Sequence, residues 1–319
     1  MKNTFWLFPG QGAQCPGMAL DFLDAGSAGA RRLFACASEA LGQDCEALLR
    51  TSGAEALCRT DLSQPLLTLA DLSAAAFLAE RGFEPAGCAG FSLGEYAALA
   101  VCGVLGEEAC FALVTERGRA MQACVDALSE PAGMAAVVGL DAAHVDAVLA
   151  SALACGAAAP GELFAANRNA ARQVVISGTE RALAAAEGLF REAGARRFVR
   201  LAVAGPFHSP LMAPAAERFA AFLESLPFAD PRIPLYSNVS GRRVRSGIEA
   251  KALAARHMTS AVRWTDEEQA IIAEQVFDAA LEVGPGSVLA GLWRDTGSAA
   301  PCHAAGTAAD IRRIYAAEE

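Results

Sequence analysis

Gly90-Phe91-Ser92-Leu93-Gly94-Glu95-Tyr96 is the most informative stretch of this chain. Gly-x-Ser-x-Gly can hold a serine at a sharp turn between a strand and a helix, because its two glycines avoid a Cβ clash. The serine hydroxyl then projects into a cleft, and the amide of Leu93 can bind an oxyanion. Since the chain has 29 glycines among 319 residues, this pattern is weak by itself, and the other motifs must support it.

Length and composition predict one large soluble domain, or one domain that carries a smaller insert. The chain has 319 residues, of which 54% are hydrophobic, and a mean hydropathy of +0.29. Alanine supplies much of this value, and no apolar run approaches the roughly 18 residues of a membrane span. The N-terminal segment, Lys2 followed by the apolar residues 5–8, is too short for a signal peptide. We expect residues 5–8 to form a buried strand.

Charge and cysteine usage exclude several classes of protein. The net charge is −10 and the pI is near 5.0, whereas a nucleic-acid-binding protein would be basic. The ten cysteines contain no C-x-x-C pair, which favours reduced thiols in the cytoplasm. The four histidines are far apart and predict no metal site. Lys2 and Lys251 are the only lysines, so arginine carries nearly all the positive charge.

Hydrophobic periodicity predicts an α/β domain interrupted by a smaller unit. Helical patterns occupy about 17–50 and 62–80, and a strand over 86–90 leads into the serine turn. Between about 133 and 203 the predicted order is β-α-β-β-α-β, which is ferredoxin-like. Residues 1–130 and 204–319 then form the large subdomain, and 131–203 the small one. Further along, strands are predicted over 233–239 and 277–283, and a capping box from Thr265 to Glu268 is predicted to open a helix between them.

Ser92 needs a base, and His208 is the best candidate. It stands in a loop rich in glycine and proline after a predicted strand, and such loops gather catalytic groups. A structural histidine with satisfied hydrogen bonds is the competing interpretation. His144 and His303 are expected in solvent, and the sequence leaves the role of His257 open.

Seven motifs follow one another in an order that resembles the malonyl-CoA:acyl carrier protein transacylases. The acyltransferase domains of polyketide and fatty acid synthases are similar more distantly. The resemblance runs from residue 5 to about residue 292. The motifs are FPGQGAQ (8–14), GFSLGEY (90–96), ERGRAMQ (116–122), ANRN (166–169), QVVISG (173–178), GPFHSPLM (205–212) and EVGPG (282–286).

The resemblance implies a two-step acyl transfer through a covalent intermediate. Ser92 would attack the thioester of malonyl-CoA, and His208 would take its proton and later activate the carrier's phosphopantetheine thiol. The backbone amides of Gln11 and Leu93 would hold the oxyanion. The implied partners are malonyl-CoA and an acyl carrier protein. No cofactor is implied, since the partner carries the phosphopantetheine.

Three further residues gain a role in substrate binding from the resemblance. Arg117 would grip the malonyl carboxylate, which acetyl lacks, by paired charge-assisted hydrogen bonds. Phe207 would leave little room for a branch at the acyl α-carbon, and so favour malonyl over methylmalonyl. Asn167 matches a family position near the cleft, although it could instead pin a loop by hydrogen bonds to the backbone.

Two positions depart from the family pattern. Phe91 stands where histidine is usual, so an aromatic ring without hydrogen-bonding capacity adjoins the serine. His257 stands where glutamine is common, at the residue whose main-chain carbonyl orients the base in the family, and the resemblance places it with the substrate-binding residues. Because a carbonyl survives a side-chain exchange, catalysis is expected to persist.

The expected protein is a cytoplasmic acyltransferase with an α/β-hydrolase-like core, a parallel sheet and an inserted ferredoxin-like subdomain. A lipase or esterase is disfavoured by Arg117 and by the lack of a recognisable acid before His208. A thioester hydrolase of the same fold is the nearer rival, and a noncatalytic subunit is disfavoured by the complete set of site residues. Exposed arginines are expected to receive an acidic carrier, among them Arg196, Arg197, Arg200, Arg242, Arg243 and Arg245.

Overall fold

A computed structural model describes residues 3–316, which form a mixed α/β fold on two sheets. Lys2 lies outside the described residues. The strands are β1 Thr4–Phe8, β2 Pro85–Gly90, β3 Ala132–Val138, β4 Leu163–Ala170, β5 Gln173–Thr179, β6 Arg197–Arg200, β7 Leu235–Ser237, β8 Arg242–Val244, β9 Ala279–Glu282 and β10 Cys302–Ala304. The helices are α1 Leu20–Asp24, α2 Ala28–Leu41, α3 Cys45–Thr51, α4 Thr60–Ala79, α5 Gly94–Val101, α6 Glu107–Asp126, α7 Ala142–Ala154, α8 Glu180–Glu192, α9 Ala213–Leu223, α10 Gly247–Arg256, α11 Trp264–Glu274, α12 Val288–Arg294 and α13 Ala308–Ala316.

The larger sheet brings two motif loops to one edge. Its order is β10-β9-β1-β2-β7-β8, and its neighbouring strands are parallel except for the antiparallel pair β7 and β8. The prediction of a buried first strand is confirmed, because every residue of β1 is buried. Phe8 pairs with Gly90 at the carboxyl ends of β1 and β2. The loop that contains Gln11 therefore adjoins the turn that contains Ser92.

The smaller sheet has the order β4-β5-β3-β6 and is antiparallel. The predicted sequence of elements is confirmed, with α7 following β3 and α8 following β5. A shared core joins the sheet to these helices, including Val137, Ile176, Leu183 and Phe190. β4 also contacts the segment before α11, since Arg168 N donates to Val262 O at 2.8 Å and Val262 N donates to Ala166 O at 2.8 Å.

The region predicted as helical over 17–50 consists of three helices. Ser27 and Asp44 cap the second and third helices, and the side chain of each accepts from a backbone N–H. Gly42 ends α2 in the left-handed region, with φ 74°, which glycine adopts without strain. The helix predicted near 62–80 is α4, which is long and apolar enough to span a membrane. However, 83% of its apolar window is buried inside the protein.

The predicted capping box from Thr265 to Glu268 is wrong. The helix α11 begins at Trp264, its N-cap is Arg263, and no side chain caps it. Thr265 therefore lies within the first turn, and Glu268 is buried. The unit predicted over 133–203 is also shorter than expected, because its last strand, β6, ends at Arg200. Short elements such as β8 and β10 were not predicted, since three residues give no measurable periodicity.

Candidate active site

Ser92 occupies a strained turn between β2 and α5. Its φ is 51°, in the left-handed region that favours glycine. The flanking glycines allow close packing: a Cβ on Gly90 would lie 2.0 Å from the carbonyl carbon of Gly94, and one on Gly94 would lie 2.1 Å from Phe8 O. The small residues of β2, which make a poor strand by propensity, therefore permit α5 to pack directly against the sheet.

His208 faces Ser92 and is oriented from behind by two carbonyls. The Ser92 Oγ lies 2.7 Å from His208 Nε2. His208 Nδ1 lies 3.1 Å from His257 O and 3.2 Å from Ser260 O. Since both carbonyls can only accept, Nδ1 carries the ring hydrogen and Nε2 is free to accept the serine proton. The arrangement has the geometry of a nucleophile and its base.

The surroundings of His208 keep it neutral. Burial lowers its pKa well below the ordinary 6.5, and the neighbouring His257 and Arg117 lower the pKa further. The two carbonyl hydrogen bonds to His257 and Ser260 oppose this effect. A neutral imidazole at neutral pH is the form that can take a proton from serine.

Two backbone N–H groups near Ser92 make no backbone hydrogen bond and can therefore donate to an oxyanion. Within residues 3–316, neither Gln11 N nor Leu93 N donates a hydrogen bond to another backbone group. Gln11 lies in the wall of the same cavity as Ser92, and Leu93 is the N-cap of α5. The Gln11 side chain is directed elsewhere, because its Nε2 approaches Thr60 Oγ1 at 3.5 Å.

Arg117, on α6, is a buried cation at the same cavity. It is 1% exposed, and its guanidinium lies over the Tyr96 ring, with the carbon 5.1 Å from the centroid. Its Nη2 lies 3.3 Å from His257 Nδ1. Arg117 forms no ion pair within the part of the chain that the structure describes, and its Nε has no partner there. A buried guanidinium of this kind suits an anionic ligand.

The remaining predicted site residues line one cavity of about 380 Å³ with Ser92. Phe207 and Asn167 are both 5% exposed, and both contribute to its wall. Phe91 also lines it, with its ring packed edge-on against Trp264 at 5.4 Å between centroids. His257 differs from the others: it is buried behind the wall and reaches the site through Arg117 and His208.

Asn238 is the structural residue that sequence reasoning missed. Its Oδ1 accepts from Ser92 N at 2.6 Å, and its Nδ2 donates to Gly90 O at 2.7 Å and to Glu267 Oε2 at 2.8 Å. Asn238 thus ties the turn around Ser92 to α11. The available signal was its place directly after β7, which is paired with β2.

The two histidines expected in solvent differ in exposure. His144 is exposed and contacts Asp141, whereas His303 lies in β10 and is half-buried. No group of three or more His, Cys, Asp or Glu that could hold a metal occurs between residues 3 and 316. The six arginines expected to bind the carrier are all exposed and form two groups. Arg196, Arg197 and Arg200 lie on or next to β6 in the smaller sheet, and Arg242, Arg243 and Arg245 lie on or next to β8 in the larger sheet. Arg200 is paired with Glu180.

Comparisons with known proteins agree over nearly the whole chain. A family model described as "Acyl transferase domain" matches residues 5–313. The malonyl CoA-acyl carrier protein transacylase of Haemophilus influenzae is 39% identical over 296 residues, which are 92% of this chain and 91% of that protein.

Solved structures match equally well. The crystal structure of an acyl carrier protein S-malonyltransferase from Vibrio cholerae has a TM-score of 0.88 at 36% identity and covers 98% of this chain and 100% of that chain. A type II PKS acyl-carrier protein in complex with its malonyl-transacylase gives a match with a TM-score of 0.89 at 33% identity, over 98% of both chains.

Proposed function

The chain belongs to the acyl transferase domain family, among the malonyl CoA-acyl carrier protein transacylases, and on this basis we propose how its residues carry out malonyl transfer. The protein is an acyltransferase that moves a malonyl group from malonyl-CoA to an acyl carrier protein, for fatty acid or polyketide synthesis. The residue assignment rests on one observation: the hydrogen-bonded pair Ser92 and His208 lines the same cavity as the buried Arg117.

The first step forms a malonyl ester on Ser92. As Oγ attacks the thioester carbonyl, His208 Nε2 takes its proton, and the amides of Gln11 and Leu93 stabilise the oxyanion. Collapse of the tetrahedral intermediate breaks the carbon–sulfur bond, and His208 returns the proton to the departing coenzyme A thiolate. One such oxyanion donor is worth about 3–4 kcal/mol of barrier lowering.

The second step reverses these roles with a different thiol. The phosphopantetheine thiol of the carrier gives its proton to His208 and attacks the ester carbonyl, and Ser92 leaves with that proton. The carrier supplies the phosphopantetheine, and the chain itself needs no cofactor. Throughout both steps Arg117 pairs with the free malonyl carboxylate, while Phe207 and Asn167 bound the space around the acyl group.

The finer architecture is also a proposal. Residues 1–130 and 204–319 form an α/β-hydrolase-like large subdomain, and residues 131–203 a ferredoxin-like small one. The strand order β4-β5-β3-β6 and the parallel pairing around β1 support this division. A cytoplasmic location is supported by the cysteines, all ten of which are free within the described residues.

The carrier is proposed to dock through exposed arginines. In the solved complex cited above, a relative of 33% identity holds an acyl-carrier protein. An acidic carrier would be attracted to either arginine group despite the net charge of −10 of this chain. Charge reversal of Arg242 and Arg243 should raise the KM for the carrier at low salt but leave acylation by malonyl-CoA unchanged. Charge reversal of Arg196 and Arg197 tests the second group, and salt-insensitive carrier kinetics in wild type would contradict both.

A thioester hydrolase of the same fold is separated from a transferase by its products. Purified protein is incubated with malonyl-CoA and a carrier that bears phosphopantetheine, and malonyl-carrier and free malonate are quantified together. The proposal predicts that malonyl-carrier is the main product. Free malonate at the same rate with and without carrier would identify a hydrolase.

A further inference from the structure

The side chain of His257 lies between a buried acid and the buried arginine. His257 Nδ1 is 3.3 Å from Arg117 Nη2, and its Nε2 is 3.4 Å from Glu95 Oε2. His257 and Arg117 are each 1% exposed, and Glu95 is 5% exposed. The three side chains therefore form a line, closed off from water, that ends at the cavity beside Ser92.

The donors and acceptors of this line allow one arrangement. Arginine only donates, so His257 Nδ1 must accept from Arg117 and the ring hydrogen must be on Nε2. Nε2 then faces Glu95 Oε2 at 3.4 Å. This contact does not have hydrogen-bond geometry, and Nε2 has no hydrogen-bond partner within residues 3–316, so the carboxylate acts on the Nε2 hydrogen by electrostatic attraction. Glu95 Oε2 is itself fixed, because it accepts from Asn238 N at 2.8 Å.

Packing confines the line as well. The Tyr96 ring meets the His257 ring edge-on at 5.5 Å between centroids, and the same Tyr96 ring lies under the Arg117 guanidinium. The guanidinium is thus held from below by an aromatic face and from the side by an imidazole nitrogen.

We propose that Glu95 and His257 are positioning residues that hold Arg117 in place, and that Glu95 does so by fixing the His257 tautomer. This inference rests on the proposed function, in which Arg117 binds the acyl carboxylate. It gives the His257 side chain a role separate from that of its carbonyl, which orients His208. Substituting the side chain leaves that carbonyl available.

Two substitutions separate positioning from packing. His257→Gln keeps an acceptor for Arg117 and a donor for Glu95, whereas His257→Leu keeps volume but offers neither. Loss of a hydrogen bond to a charged group corresponds to about a tenfold to hundredfold change in binding. We expect His257→Leu to raise the KM for malonyl-CoA by that factor relative to acetyl-CoA, and His257→Gln to stay close to wild type.

Two substitutions at Glu95 test the tautomer, because the same oxygen, Glu95 Oε2, faces both Asn238 N and His257 Nε2. Glu95→Gln can place its amide oxygen at that position and keep an acceptor for both groups, whereas Glu95→Leu removes the acceptor and the charge. Without them, nothing confines the ring hydrogen of His257 to Nε2. We expect Glu95→Leu to raise the malonyl KM as His257→Leu does, and Glu95→Gln to raise it less. Long-range ¹H–¹⁵N spectra of Glu95→Leu should show His257 changing tautomer, its signals identified by their loss in His257→Gln.

The experiment measures KM and kcat for malonyl-CoA and acetyl-CoA, with melting temperatures, for wild type and these four variants. Exposed His144→Leu serves as the matched control and should match wild type throughout. A Glu95→Leu protein that keeps both the wild-type tautomer and the wild-type malonyl KM overturns the inference, as does a His257→Gln protein as defective as His257→Leu. If Glu95→Leu does not fold, the comparison of His257→Gln with His257→Leu still decides the question. Wild type that forms no malonyl ester on Ser92 contradicts the proposed function instead.

Discussion

Ser92 Oγ lies 2.7 Å from His208 Nε2, and both residues have left-handed backbones, with φ of 51° and 57°. Within residues 3–316, Ala19 is the one other non-glycine residue with positive φ. Such conformations cost about 1–3 kcal/mol each and persist where the surrounding structure enforces them. Here Asn238 fixes the serine turn, and the carbonyls of His257 and Ser260 fix the histidine. The strain therefore coincides with the pair that we propose to react.

Replacing Arg117 with alanine should reduce malonyl transfer far more than acetyl transfer. Two charge-assisted hydrogen bonds to the carboxylate, at about 1.5–3 kcal/mol each, would be lost, so kcat/KM for malonyl-CoA should fall by at least about a hundredfold. Arg119→Ala, an exposed arginine on the same helix, is the control and should behave like wild type. Equal losses for both substrates would show that Arg117 has no carboxylate role.

The acid limb of the pH profile should lie below the ordinary histidine pKa of 6.5, because the pKa of His208 is lowered by burial, His257 and Arg117. Below that limb His208 is protonated and cannot take the serine proton. Arg117→Gln removes one lowering cause, so its limb should move to higher pH. Single-turnover kinetics of acylation by acetyl-CoA, from about pH 4.5 to 8, measure the acid limb of wild type and that of Arg117→Gln. An unmoved limb in the variant would contradict the assignment.

Phe207→Ala should relax the selection against methylmalonyl-CoA. The ring lines the cavity, and space for one methyl group is worth roughly 1–3 kcal/mol of discrimination. We expect the ratio of kcat/KM for methylmalonyl-CoA to that for malonyl-CoA to rise by about tenfold or more. Phe164→Ala, on β4, is a control outside the residues that line this cavity. An unchanged ratio would place the steric limit elsewhere.

Asp71→Asn should stabilise the protein, and more so at higher pH. Burial, then the charge of Glu282, raises the pKa of Asp71 well above 3.8, and neither carboxyl oxygen has a partner within residues 3–316. The folded state thus keeps a proton that the unfolded state releases above its own pKa. Stability is lost as pH rises, by at most about 1.4 kcal/mol per pH unit.

Urea unfolding at about pH 5 and pH 8 would measure this difference. The gap between Asp71→Asn and wild type should widen at the higher pH. Asp24→Asn, whose carboxylate side chain is 68% exposed, should show no such trend. A gap that does not change with pH would mean that Asp71 is ionised in the folded protein.

The sequence predicted much of the fold because its long elements have clear periodicity. The helix near 62–80, the strand before Ser92 and the order of elements over 133–203 are all observed. The failures have local causes: glycines divide the region 17–50, and Thr265 lies one residue inside a helix that Trp264 begins. Strands of three residues, such as β8, are held by their neighbours and carry no pattern of their own.

In the candidate site, too, some residues are predictable from the sequence and others are not. Ser92, His208 and Arg117 stand in motifs, so their types and order point to a site before any coordinates are known. Asn238 and the side-chain role of His257 depend on contacts between segments about 140 residues apart. Such contacts leave no local signal, and only the folded chain brings them together.

The proposed mechanism requires a malonyl ester on Ser92, which can be detected by mass spectrometry. Wild type, Ser92→Ala and His208→Ala are incubated with malonyl-CoA without carrier, and intact mass is followed by peptide mapping. Wild type should gain the mass of one malonyl group on the peptide that contains Ser92, His208→Ala should gain it far more slowly, and Ser92→Ala should not gain it. An unmodified wild type, or a malonyl group mapped to another residue, would show that Ser92 is not the nucleophile.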